Sequence, residues 1–218
     1  MQQRWHARAV GIWGRQLRAF CGALWLAALA PGTVWALAPG ATGLQAGPRA
    51  IEQAVTLSPR RPFLAHVRFC LIHPEQCQTH VDRRDPARSA QDHFNEILRV
   101  NWAVNRAMTA RPDEGGDSWD IHVSEGDCED FALQKRADLI ALGWPTDRLR
   151  LAITRLPGGG GHAVLLVRIA GVDYVLDNLS SRVRPWDETP YEYLMLQGHG
   201  GPRAWHDINP MRLSEARN

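Results

Sequence analysis

Cys128 stands inside the run Glu125–Phe131, EGDCEDF, with Glu125 and Asp127 before it and Glu129 and Asp130 after it. A cysteine that attacks a carbonyl works as a thiolate. Carboxylates so close oppose a second negative charge and push a thiol pKa upward. The same cysteine falls at a helix start, where free N–H groups and the helix dipole favour an anion on sulfur and can receive an oxyanion. Two further residues suit acyl transfer through a thiol. His162 opens the run HAVLLVRI, and Asp177 closes the run VDYVLDN. If both are strands paired antiparallel across Ala170-Gly171, the start of the first lies beside the end of the second. His162 and Asp177 then become neighbours, and nucleophile, base and orienting carboxylate are all present. Plainer readings stand beside this one. A cysteine on a helix often fills core, a histidine after GGGG can cap a turn, and Asp-Asn is a common turn pair. A zinc site from the same three residues lacks paired ligand spacing.

These residues need elements to hold them. From Ser89 to Met108, Phe94, Ile97, Leu98, Asn101, Val104 and Met108 recur at helical spacing. The stretch TARPDEGGDSWDIHVSEG reads as a long loop. A second helix starts at Cys128, with Asp127 as N-cap and Asp130 three residues on, as in a capping box. It carries Phe131, Ala132, Lys135, Leu139 and Leu142 and stops at Gly143, before Pro145. The period then changes. Arg148–Leu156, His162–Ile169 and Val172–Asn178 are β-branched, partly alternating runs separated by turns. Helices followed by an antiparallel meander predict an α+β domain.

Composition narrows the setting. The formal charge of +2 is misleading, because Arg4, Arg8, Arg15 and Arg18 lie in the first 36 residues and no acid does. The remainder carries 21 basic against 23 acidic residues and no long basic run, so nucleic acid is not an expected partner. An Arg-bearing start, the apolar run Ala19–Ala30 and the small residues after it read as a secretory signal over residues 1–36, cut after Ala36. The alternative is an uncleaved anchor. Residues 37–58 form a Gly-, Ala- and Pro-rich lead-in expected to be flexible, 59–210 the domain, and 211–218 a tail. The expected location is a bacterial periplasm. There Cys70 and Cys77, in FCLIHPEQC, can pair as a disulfide; the alternative, a metal pair with His73 or His80, lacks a fourth ligand. Either way Cys128 is left over. Among the tryptophans, Trp144, Trp186 and Trp205 read as packing. Trp102 and Trp119 can line the cleft or offer an indole N–H, with Trp102 read first as core because it rides the amphipathic helix.

The blocks GDCEDFALQKRADLIALGWP, GGGHAVLLVR and DYVLDNLSSRVRPWDETPYEY resemble the bacterial transglutaminase-like cysteine proteinases. The resemblance runs from about Phe69 to Ile208 and includes FCLIHPEQC and VNWAVNRAM. It implies a papain-like α+β fold, with Cys128 as nucleophile, His162 as general base and Asp177 as its orienter. It further implies a periplasmic endopeptidase that releases a large surface adhesin, needs calcium, and is held inactive by an inner-membrane cyclic-diguanylate receptor. The chain departs from the family pattern at Asp113–Trp119, DEGGDSW, and in having Phe131 for a tyrosine.

Calcium would also answer the question raised by the acids. A divalent cation reverses the local field around Cys128, and hard oxygen ligands suit Ca²⁺. Asp127 and Glu129 are the expected ligands, with Asp130 a third. The competing account is that acids at a helix start are favoured by the dipole without any metal. Two other functions keep the same residues: a transglutaminase-type acyltransferase, with a lysine amine replacing water, and an inactive calcium-dependent binding module.

Overall fold

Strand β1 (Thr56–Arg60) precedes helix α1 (Leu64–Ile72), and helix α2 (Ala90–Ala107) follows. Short strands β2 (Thr109–Ala110) and β3 (Glu125–Gly126) flank the acidic loop, and helix α3 (Cys128–Ala141) begins at once. Strands β4 (Leu149–Arg155), β5 (Gly161–Ile169), β6 (Val172–Leu176), β7 (Arg184–Pro185), β8 (Glu192–Gln197) and β9 (Trp205–Ile208) complete the chain. This computed structural model describes residues 56–198 and 200–208. The predicted signal, most of the lead-in, the tail and His199 lie outside the described residues. Thr56–Ser58, placed by sequence in the lead-in, instead begin β1.

The main sheet is antiparallel, in the order β1-β9-β8-β4-β5-β6-β7. Alternation along its central strand divides two cores. Leu165, Val167 and Ile169 join the cluster that contains Phe69, Ile97, Leu133 and Leu139, while Val164 and Leu166 join Val175, Trp186, Tyr193 and Leu196. Each such side chain taken out of water stabilises by roughly 1.5–3 kcal/mol before entropy is counted. Both faces of β5 are therefore dry. That explains why AVLLV reads as a continuous apolar run rather than a clean alternation.

Ser89 caps α2. Its Oγ accepts from Asp92 N at 3.1 Å, and Asp92 Oδ2 accepts from Ser89 N at 2.9 Å. Ile97, Val100, Asn101 and Val104 form the buried stripe. Trp102 does not join it. The side chain is 56% exposed, with the Arg106 guanidinium 4.7 Å over its ring. One residue beyond Asn101 is about 100° around the helix, so amphipathic periodicity itself puts position 102 outside. The expectation of a core tryptophan is corrected there. Trp144, Trp186 and Trp205 are buried, as packing residues should be.

Helix α3 ends in a left-handed residue, Gly143 (φ 93°), with Trp144 N donating to Leu139 O. The β5–β6 hairpin turns through Ala170 (φ 48°) and Gly171 (φ 86°), the two positive φ values that a tight type I′ turn demands. Cys70 and Cys77 are disulfide-bonded, with Cα atoms 5.5 Å apart, and tie α1 to the 3₁₀ turn Pro74–Cys77. Among the described residues, no helix is long and apolar enough to cross a membrane.

Candidate active site

The hairpin register sets the first pair. Leu165 faces Leu176, so one further step brings Asp177 level with Val164, two residues from His162 on the same side of the strand. His162 Nε2 bonds Asp177 Oδ1 at 2.8 Å, and both side chains are buried. An ionised carboxylate only accepts, so Nε2 carries the hydrogen and Nδ1 is the ring nitrogen left for chemistry. Asp177 is held from several directions. Leu179 N donates to Oδ1 at 2.9 Å, and the Tyr191 hydroxyl donates to Oδ2. From α2, Asn101 Oδ1 accepts from Asp177 N at 3.1 Å, and Asn105 Nδ2 donates to Asp177 O at 2.8 Å. Burial opposes the Asp177 charge, but the bonds from His162, Tyr191 and Leu179 outweigh it and hold the carboxyl below its usual range.

The sulfur arrives from the other side. Cys128 is the first residue of α3, and α3 packs along β5. Its Sγ accepts from Ala163 N at 3.3 Å, against the residue that follows His162. The structure thus brings Cys128, His162 and Asp177 into one neighbourhood. The thiol also donates to Glu129 Oε2 at 3.2 Å. Burial, then the Glu129 charge, pushes it up to about 12, against the pull of the Ala163 N–H. Without a cation this cysteine is a neutral thiol.

The acids divide by role. Asp130 has both oxygens in use: Oδ1 accepts from Asp120 N at 2.7 Å, and Oδ2 from Asp127 N at 3.3 Å. It closes the cap of α3 and fastens the preceding loop through these two backbone N–H groups. Gly126 makes room for it, since a Cβ there would stand 2.8 Å from the Asp130 Cβ. Burial lifts the Asp130 carboxyl to about 6, and burial with the neighbouring Asp127 lifts Glu129 to about 9. Glu129 meets two residues of the loop that sequence reasoning left unassigned. Asp113, Asp117 and Glu129 place carboxylate oxygens within 4.8 Å of one another, as do Asp127, Cys128 and Glu129 with their ligand atoms. Asp127 Oδ1 is buried without a hydrogen-bond partner. Asp113 and Asp117 each spend one oxygen locally, on Ser118 N and Trp119 Nε1. The Trp119 indole N–H is thereby occupied at Asp117.

A half-buried thiol at a helix start, beside a His–Asp pair on an antiparallel hairpin, defines a transglutaminase-like cysteine-hydrolase architecture. The family model of the bacterial transglutaminase-like cysteine proteinases matches residues 55–212, and the chain belongs to that family. It is a cysteine-peptidase family, and its fold is the one seen here. A comparison with curated proteins finds no match. Among solved structures the chain is similar to calcium-bound LapG of Legionella pneumophila, at 24% identity over 58% of this chain and 81% of that one, with a TM-score of 0.47. It is also similar to EGTA-treated LapG of the same organism, at 24% identity over 54% of this chain and 68% of that one, with a TM-score of 0.45.

Proposed function

We propose that this chain is an exported cysteine endopeptidase in which Cys128 is the nucleophile, His162 the general base and acid, and Asp177 the orienter. The observation that carries the reading is the placement of a lone thiol on the Ala163 N–H, next to a buried His162–Asp177 pair. His162 takes the proton of the thiol, and the sulfur attacks the scissile carbonyl. N–H groups at the start of α3 are placed to receive the developing oxyanion. The imidazolium then protonates the leaving amine, and water, deprotonated by His162, hydrolyses the thioester. Asp177 fixes the tautomer and stabilises the imidazolium.

Calcium fits the acidic flank. Two exposed loop carboxylates meet the buried Glu129, and Asp127 has a buried oxygen without a partner. Asp113, Asp117 and Glu129, with Asp127 beside them, would hold the ion, while Asp130 orients the helix start. When bound, the ion supplies positive charge next to the sulfur. Burial raises both the Glu129 carboxyl and the thiol, so a cation bound beside them would favour loss of protons there.

Export is supported by the leader-like first 36 residues and by a disulfide suited to an oxidising compartment. On the family resemblance, the substrate is a large surface adhesin and the regulator an inner-membrane cyclic-diguanylate receptor. The test is to express wild type and Cys128→Ala in the native host and map new peptide termini on surface proteins by mass spectrometry. New termini with wild type alone support the reading. Isopeptide cross-links would assign acyl transfer to amines instead, and identical profiles from the two strains would refute the assignment of Cys128.

A further inference from the structure

Tyr191 lies outside the three residues that sequence and family point to, yet it touches two of them. Its hydroxyl donates to Asp177 Oδ2, the oxygen not used by the imidazole. Its ring stands 5.6 Å from the His162 ring at 69°, an edge-to-face contact. The segment that carries it is anchored. Trp186 and Tyr193 pack edge to face at 5.4 Å, and Thr189 Oγ1 donates to Trp186 O at 2.7 Å while meeting Tyr193 Oη at 3.0 Å. Pro190 limits the remaining backbone freedom just before Tyr191. A tyrosine on a loose loop would not hold one rotamer against a histidine; this loop is pinned on both sides.

We propose that Tyr191 is a positioning residue of the catalytic assembly, acting through Asp177 to fix the carboxylate and through its ring to fix the imidazole. This rests on the cysteine-peptidase reading above. The carboxylate has two oxygens, and the bonds from His162 and Leu179 N both fall on Oδ1, leaving Oδ2 without a partner but for Tyr191. A donor on the second oxygen fixes the carboxylate. It also takes up part of the negative charge on Asp177.

The charged and titratable groups around the assembly are few. Asp177 faces His162 from β5, Tyr191 from the segment before β8, and the buried amine of Lys135 from α3, whose charge couples to it. Tyr191 faces Asp177, the Arg184 charge and the buried Tyr193. Burial and the carboxylate both push the Tyr191 phenol upward, so it remains a donor throughout the working range.

The experiment compares Tyr191→Phe, Asp177→Asn, the double variant and Cys128→Ala in the full chain, on a fluorescence-quenched peptide mixture that wild type cleaves. Tyr191→Phe keeps the ring and removes only the hydroxyl. Its kcat falls roughly tenfold, as expected for loss of a bond to a charged group. KM stays within about twofold, because the hydroxyl does not touch substrate. On the Asp177→Asn background the same substitution adds little. Wild-type kcat in Tyr191→Phe would overturn the proposal. So would an equal loss on the Asp177→Asn background, or a drop in melting temperature with normal kinetics. Activity retained by Cys128→Ala would sink the peptidase reading itself, a result distinct from any of these.

Discussion

Asn101→Ala tests whether α2 exists to hold the Asp177 carboxylate. The side chain is fully buried and makes two bonds, accepting from Asp177 N at 3.1 Å and donating to Ser180 O at 3.2 Å. Truncation leaves both backbone groups without partners. At roughly 1–3 kcal/mol for each stranded group, the expected loss is about 3 kcal/mol. For a domain of this size that is a fall of roughly 6–12 °C in melting temperature. Function should suffer in a particular way. The stretch carrying Asp177 loosens, so kcat drops roughly tenfold while KM changes little. Asn101→Asp is the sharper probe, since it keeps the acceptor for Asp177 N but turns a carboxylate towards Ser180 O. It should be less stable still. Asn95→Ala, on the solvent side of α2 and bonded only to Gln91, is the control and should stay within about 0.5 kcal/mol of wild type. Circular-dichroism melts and initial rates on the quenched peptides give both quantities. Asn101→Ala melting within about 2 °C of wild type, with normal kcat, would refute the argument.

Three further outcomes are expected. Replacing Cys70 and Cys77 by serine opens a short closed loop, costs about 2.5 kcal/mol on the chain-entropy account, and lowers the melting temperature by roughly 5–10 °C; an unchanged melt would contradict it. Burial, with smaller contributions from Arg136 and Arg203, pushes His66 from 6.5 down to about 4. The unfolded chain therefore binds the extra proton between those values, so stability is full above pH 6.5 and falls by about 3 kcal/mol as the pH drops to 4. His66→Gln should flatten that decline in acid denaturation, and an equally steep decline would assign it elsewhere. Calcium should raise the melting temperature and release protons on binding, chelator should suppress cleavage, and Asp117→Asn or Glu129→Gln should abolish the thermal shift. Calorimetric silence in wild type, with full activity in excess chelator, would refute the calcium site.

Local signals were legible where they are chemical. Asp127 with Asp130 marks a helix start, Gly143 marks a stop, and Ala170-Gly171 marks the turn that sets His162 near Asp177. The three meander strands and the Cys70–Cys77 bond were readable for the same reason. What escaped depends on distance through space. Asp113 and Asp117 reach Glu129 only because β2 and β3 pinch the loop back on the start of α3. Asn101 resembled an ordinary packing position, since periodicity reports that a residue is inside but not what it bonds there. Tyr191 sat in a quoted block without a role, because nothing in TPYEY says which carboxylate its hydroxyl meets. Strands β1, β8 and β9 were not anticipated either. β8 alternates weakly, and β1 holds Pro59, tolerable because that strand is an edge.

The pairing of β1 with β9 imposes a delay on the growing chain. Thr56 finds its partner in Ile208, and Arg60 in Trp205, at opposite ends of the folded unit. At a synthesis rate of roughly 5–20 residues per second, the first strand waits on the order of ten to thirty seconds for the last to exist. Throughout that interval the edge of the sheet has no closing strand, and the backbone donors of β1 belong to no ladder. A chain in this condition is still open at one edge of its sheet. Shortening β9 should therefore be felt first as exposure of β1.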